Sequence, residues 1–322
     1  MAVYTSIASG EAQSFVAQYD IGAYRSHEGI VKGVSNSNFH LFTNRGRYIL
    51  TLFEPRRVNE ADLPYFYDFA AHLAANGITC PQAIAARNGD MVGTLGGKPA
   101  AILEFLQGED IAVEALTADH CAQAGMLAAR MHQAAQDFTI ARANSMGLRT
   151  WRALTDKIAA YAGTFRAGLR DDLYAELDFL EENWPRGLPQ GNIHADMFPD
   201  NVFFQEDRLT AVIDFYFSCT DFYVFDLAIT INAWCFSLDG TLFRRGHFDA
   251  FMKSYQARRP LVPEEKAALQ IMARGSAFRT LVSRLEEYCE YDPATALMQP
   301  HDPAAYLARL GFHQENDIAC YL

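Results

Sequence analysis

The chain has 322 residues, half of them hydrophobic and 20% charged, which is the composition of a folded protein with one large or two modest domains. Its 27 basic and 39 acidic residues give a formal charge of -12, which argues against the basic face that a nucleic-acid binder uses to neutralise phosphates. A single nucleotide is still allowed, because a metal ion and a few local donors can hold one triphosphate. The cysteines (Cys80, Cys121, Cys219, Cys235, Cys289, Cys320) are scattered without a CxxC pair or a Cys/His cluster, so reduced thiols and no structural zinc are expected. The first twenty residues lack the basic start and apolar core of a signal peptide, and no apolar run approaches the ~20 residues of a membrane span. A soluble cytoplasmic protein is the expectation, with no nucleic-acid or membrane partner.

Along the chain, "NSNFHLFT" and "RYILTLFE" flank the turn "NRG" and predict a β-hairpin. "DLPYFYDFAAHLAANG" predicts a helix with Asp62 as its cap, Pro64 in the first turn and Gly77 after its end. "MVGTL" and "PAAILEFL", joined at "GGK", predict two more strands. After "LQGEDI" the pattern changes. "TADHCAQAGMLAARMHQAAQDF" places Cys121, Ala124, Ala128, Met131, Ala135 and Phe138 at helical spacing, and His132 in it reads as an ordinary core or surface histidine. "DLYAELDFLEEN", "FDLAITINAWCF" and "PEEKAALQIMARGSAFRTLVSRLEEY" predict further helices, the last entered through Pro263. The expected fold class is therefore α+β, with a small antiparallel-sheet lobe over 1–106, a linker near Leu106–Ile111 and a larger helical lobe over 107–322. A cleft between two such lobes is the expected place for a ligand.

"GNIHADMFPDNVFFQEDRLTAVIDF", Gly191 to Phe215, interrupts the helices with two short strands. Asp196 and Asn201 lie on one compact loop, and Asp214 follows an apolar strand. Phosphoryl transfer needs an aligned nucleophile and cations on the phosphates. A carboxylate such as Asp196 can orient a hydroxyl and take its proton. An amide oxygen (Asn201) and a second carboxylate (Asp214) are hard ligands suited to Mg2+. Any single Asp-x4-Asn is common; the strand-like flanks, the later "IDF" and the "DLA" helix give the set its weight. The spacing is that of a kinase catalytic loop, with His194 first and Ala195 in place of the usual arginine.

With those motifs the chain resembles the aminoglycoside phosphotransferase and choline kinase-like superfamily, whose fold is protein kinase-like and two-lobed. "GVSNSNFHL", "LPQGNIHADMFPDNVFF", "DFYFSCTDFYVFDLAI" and "NAWCF" are similar more narrowly to the bacterial homoserine kinases of this fold. The resemblance covers the chain from about Tyr19 to the final helices. It implies an ATP-dependent kinase that phosphorylates the side-chain hydroxyl of L-homoserine, in threonine biosynthesis, with Mg2+ as cofactor and ATP as co-substrate. It implies Asp196 as catalytic base, Asn201 and Asp214 as metal ligands, His194 as an anchor of the loop, and Asp226 as its brace. Asp226 also reads as a simple helix N-cap. The resemblance further implies that Glu104 and Leu106 read adenine through their backbones, and that Ser35, Asn36, Ser37 and Asn38 lie over the phosphates. Kinases of this shape usually carry a lysine on the third strand, where Thr51 stands here; Arg56 is the first candidate to replace it, then Arg57 or Lys32. Tyr216, Asp221, Asn232 and Trp234 are candidate acceptor neighbours, and Arg279, Arg284, Asp221 and Glu286 are candidate partners for the charges of an amino acid. Two other functions stay open: the same chemistry on an aminoglycoside, choline or hydroxylysine, and a nucleotide-binding pseudokinase.

Overall fold

The computed structural model describes residues 5–30, 36–54, 58–291 and 300–322, and it divides into two compact units, with the break in the chain after Gln107. In the first unit, α1 (Ser9–Val16) and β1 (Tyr24–Gly29) precede the expected hairpin of β2 (Ser37–Thr43) and β3 (Arg47–Leu52). β4 (Gly93–Leu95) and β5 (Lys98–Glu104) complete an antiparallel sheet in the order β1-β2-β3-β5-β4. The sheet has five strands where the sequence predicts four. The addition is β1, "YRSHEG", an edge strand whose exposed residues leave no apolar alternation to read. Gly96 and Gly97 turn β4 into β5 with φ of +59° and +75°, the paired left-handed geometry of a tight hairpin.

Alternation along the strands gives this sheet two distinct faces. Phe39, Leu41, Leu50, Leu52, Ala100 and Ile102 pack with Phe15, Val16 and Tyr19 at and just beyond α1. Asn38 and Thr51 point the other way, directly opposite each other in the β2/β3 register. α2 (Leu63–Ala75) buries Phe66, Phe69 and Leu73 and ends where Gly77, at φ +78°, lets the Ile78 N–H reach the Leu73 carbonyl at 3.0 Å. Asp62 stands where the cap is expected but makes no side-chain cap bond. Its backbone already has helical geometry, whereas a capping residue is extended; Asn59, four residues from the helix, accepts the Ala61 N–H instead.

The second unit runs α3 (Ala118–Ala134), α4 (Leu148–Phe165), α5 (Leu169–Asn183), β6 (Gln190–Ile193), β7 (Val202–Gln205), β8 (Arg208–Val212), β9 (Cys219–Phe222), α6 (Tyr223–Trp234), α7 (Arg245–Arg258), α8 (Pro263–Glu290) and α9 (Ala304–Glu315). α3 begins at Thr117, whose hydroxyl accepts the His120 N–H. Every residue of α6 is buried. It lies against α8, a 28-residue helix about 42 Å long at 1.5 Å per residue, which also carries α4 and α9. α3 and α7 touch at Gly125, where any side-chain carbon would collide with the Phe251 carbonyl. β6 pairs with β9 and β7 with β8, so two short ladders hold the segment Gly191–Phe215. Among the described residues no helix is long and apolar enough to cross a membrane.

Candidate active site

The loop after β6 is fixed residue by residue. His194 is buried, and its Nε2 donates to the Ile213 carbonyl at 3.0 Å while Nδ1 accepts the Asp196 N–H at 3.2 Å. Both bonds suit a neutral ring, and burial pushes the His194 pKa down. Ala195 has φ +61°, a left-handed conformation that costs about 1 kcal/mol in a residue with a Cβ. Two buried groups hold it there. Its N–H donates to Asp226 Oδ1 at 2.7 Å, and its carbonyl accepts from Arg279 Nη1 at 2.8 Å. The next carbonyl but one, that of Met197, accepts from Trp234 Nε1 at 2.8 Å.

Asp196 and Asn201 are joined directly. Asn201 Nδ2 donates to the Asp196 carbonyl at 2.8 Å and to its Oδ2 at 3.1 Å, which commits the amide nitrogen and leaves Oδ1 as the outward group. Asp214 sits just past β8 at φ +64°, and its Oδ1 is buried without a partner among the described residues. Burial raises the Asp196 pKa to about 8; Arg279 and Asn201 pull it down, while the charges of Asp214 and Asp200 push it up. Burial likewise raises Asp214 to about 6, against the Tyr216 N–H that favours its charged form. Crowded carboxylates in low dielectric demand a cation.

Among the described residues no group of three or more His, Cys, Asp or Glu side chains is suited to a metal. The donor set here is smaller and harder: one orphaned carboxylate oxygen and one amide oxygen. That fits Mg2+, which takes one or two carboxylates and completes its shell with water and substrate phosphates.

A family model described as the phosphotransferase enzyme family matches residues 26–261. The chain belongs to this family. It is 48% identical over 320 residues to a homoserine kinase of Xanthobacter autotrophicus, covering 99% of this chain and 98% of that one. A homoserine kinase of Afipia carboxidovorans is 48% identical over 314 residues, with 98% and 95% covered. Among solved structures, amicoumacin kinase hAmiN in complex with AMP-PNP, Ca2+ and Ami superimposes with a TM-score of 0.67 at 15% identity, covering 94% of each chain. The fold of this phosphotransferase is thus the α+β, kinase-like one that the sequence predicts.

The remaining predicted site residues fare unevenly in the phosphotransferase. Asp226 is no helix cap: α6 starts three residues earlier, and the carboxylate is buried within its first turn. Its Oδ2 accepts from His132 Nε2 at 2.9 Å, and His132 Nδ1 lies 2.8 Å from the Tyr255 hydroxyl, which also accepts from Arg259 at 2.9 Å. His132 is thus a core histidine with a structural task that sequence spacing did not signal. Asn232 and Trp234 were expected beside the acceptor, but both are fully buried. Asn232 is bonded to the Ala273 carbonyl and to His313, and Trp234 to Met197, because α6 is covered on all sides. Asp221, on β9, accepts from Asn144 Nδ2 and the Phe222 N–H, each at 2.7 Å.

In the first unit, Ser37 is buried on the α1 face, where its hydroxyl donates to Glu54 at 2.9 Å and Lys98 pairs with the same carboxylate. This hydroxyl is already committed within the unit. Asn36 is also buried, accepting the Glu54 N–H at 3.3 Å. Asn38, on the other face, accepts from Thr51 Oγ1 at 2.7 Å. The Glu104 N–H is spent on the Gln82 carbonyl at 2.9 Å, and Leu106 lies two residues beyond β5. Ser35, Arg56, Arg57 and Lys32 lie outside the described residues. Two residues went unread beside the loop: Asp200, a third carboxylate next to Asn201 whose signal was the "PDN" triplet, and Arg279 as a partner of the loop, 84 residues from Ala195.

Proposed function

We propose that this protein is a homoserine kinase, transferring the γ-phosphoryl group of ATP to the side-chain hydroxyl of L-homoserine to give O-phospho-L-homoserine and ADP. The phosphotransferase chemistry rests on one observation above all: Asp196, tied to Asn201, shares the loop region with an Asp214 oxygen that is buried and unpartnered. The choice of acceptor is supported by the near full-length match to homoserine kinases.

In the proposed mechanism, Asp196 accepts a hydrogen bond from the acceptor hydroxyl and aims its oxygen at the γ-phosphorus. As the new O–P bond forms, the bond to the bridging oxygen of ADP breaks, and the hydroxyl proton passes to Asp196. Asn201 Oδ1 and the Asp214 carboxylate would hold Mg2+, which would offset the charge of the phosphates. His194, Asp226, Trp234 and Arg279 keep the loop in place, so that little geometry is left to find during the reaction.

The test is a side-by-side assay of ADP release with L-homoserine, L-serine, choline and kanamycin, with the product checked by phosphorus NMR. Homoserine is expected to give the highest kcat/KM. Serine, one methylene shorter, holds its hydroxyl out of line and reacts slowly. Choline or kanamycin outperforming homoserine would overturn the acceptor and keep the kinase. ATP binding without turnover of any alcohol would instead make the protein a pseudokinase.

A further inference from the structure

α8 presents a cation to the catalytic loop that forms no ion pair with any side chain among the described residues. Arg279 is 4% exposed, and its guanidinium donates to a backbone oxygen, that of Ala195 at 2.8 Å. No carboxylate among the described residues forms an ion pair with it. Two half-buried arginines are paired, Arg259 with Glu265 at 2.9 Å and Arg274 with Glu176 at 2.5 Å, whereas Arg309, as buried as Arg279, bonds the Ser237 carbonyl and stacks over Tyr306, far along the chain from the catalytic loop. Removing a guanidinium from water without a counter-charge is costly, and beside a catalytic loop an arriving anion would offset that cost.

β9 offers the complementary charge. Asp221 is half-buried, with two neutral donors, Asn144 Nδ2 and the Phe222 N–H, and no cation within ion-pair distance among the described residues. It shares a strand face with Cys219, and the charge of Arg279 acts on both residues as well as on Asp196. Phe217, just before that strand, lies under the guanidinium with its ring centre 5.8 Å away. The alternatives fall away on position. Glu286, two turns further along α8, is paired with Lys157 at 2.7 Å. Arg284 is bonded to the Asp302 carbonyl and stacked over Tyr306.

We infer that Arg279 receives the α-carboxylate of the acceptor and Asp221 its α-ammonium, so that the site selects a zwitterionic amino alcohol. This rests on the kinase reading above and adds to it the groups that choose the acceptor. A planar guanidinium suits a carboxylate better than an ammonium group does, because it offers a fixed fork of donors. Asp196 lies one residue from the carbonyl that Arg279 grips, so the same side chain sets the loop and the substrate.

The test compares L-homoserine with 3-aminopropan-1-ol, which lacks the carboxylate, and 4-hydroxybutanoate, which lacks the amine. The wild-type kcat/KM for homoserine is expected to exceed each analogue by about 10²-fold or more, since each leaves a buried charge unpaired. Arg279→Met should lower kcat/KM for homoserine about 10²-fold more than for 3-aminopropan-1-ol, and Arg279→Lys should fall between. Asp221→Asn should penalise homoserine about 10-fold more than 4-hydroxybutanoate. Equal losses on all three acceptors would reduce Arg279 to a support of the loop and overturn the inference, with the kinase reading intact. The wild-type ratios decide even if a variant does not fold: homoserine and 3-aminopropan-1-ol used equally well would overturn the inference. No turnover of homoserine in the presence of robust turnover of 3-aminopropan-1-ol would overturn the homoserine reading and the inference together.

Discussion

Replacing Asp226 by alanine tests whether the loop is held from behind. The substitution removes the acceptor of two buried donors, the Ala195 N–H at 2.7 Å and His132 Nε2 at 2.9 Å. Each donor left unsatisfied costs about 1–3 kcal/mol, so a loss of roughly 4 kcal/mol is expected for the two. At about 2–4 °C per kcal/mol for a large domain, Tm should fall by roughly 10 °C in differential scanning fluorimetry. Ala195 then keeps only the Arg279 bond to hold its left-handed backbone, and a shift of Asp196 by about 1 Å would lower kcat by about 10²-fold. Asp226→Asn should recover part of the stability, since its amide oxygen can still accept the Ala195 N–H while its amide nitrogen faces His132 Nε2. Burial alone would raise the Asp226 pKa, but the His132 hydrogen bond, the electrostatic attraction of the two neighbouring imidazoles and the Ala195 N–H outweigh it and hold the pKa below the ordinary value. Its stabilisation is therefore present above about pH 4 and lost only as pH falls through the depressed value. An Asp226→Ala protein with wild-type kcat and a Tm within about 2 °C would refute the bracing argument.

Other consequences are as direct. Asp196→Asn should lower kcat by about 10²-fold or more with the Kd for ATP unchanged; wild-type turnover would remove Asp196 as the base. Asp214→Ala should weaken Mg2+-nucleotide binding in calorimetry, and an unaltered affinity at limiting Mg2+ would refute its place as a ligand. His313 is buried and its pKa pushed down to about 3, first by burial and then by Arg274 and Arg309, with Nε2 on Asn232 and Nδ1 unpartnered among the described residues. The unfolded chain takes up that proton near pH 6.5 and the folded protein does not, so stability should decline from about pH 6.5 downward, by up to about 1.4 kcal/mol per pH unit. His313→Gln should flatten the fall of Tm between pH 7 and 5; identical slopes would exclude His313. Gly125→Ala should cost a few kcal/mol, of order 2 or more, because the new methyl collides with the Phe251 carbonyl, and a Tm near wild type would show that α3 and α7 can part without cost.

Sequence by itself determined what is local. Asp196 and Asn201 are five residues apart on one turn, so their juxtaposition needs only that turn, and the hairpin of β7 and β8 returns the chain to Asp214. The strands β2, β3 and β5 and the helices α2, α3 and α8 were legible because apolar period reports which face is buried. Period does not report what covers that face. α6 reads as an apolar helix whether Asn232 and Trp234 line a pocket or, as here, lie in the interior. Ser37 reads as turn polarity although its strand parity turns it into the α1 core. α7 and α9 carry mixed patterns, and they are held by packing against α3 and α8 respectively rather than by strong periodicity. Tertiary structure alone brought His132 to Asp226 across 94 residues and Arg279 to Ala195 across 84. No spacing rule encodes such contacts. A buried donor must find an acceptor somewhere, and which one it finds is decided when the helices pack.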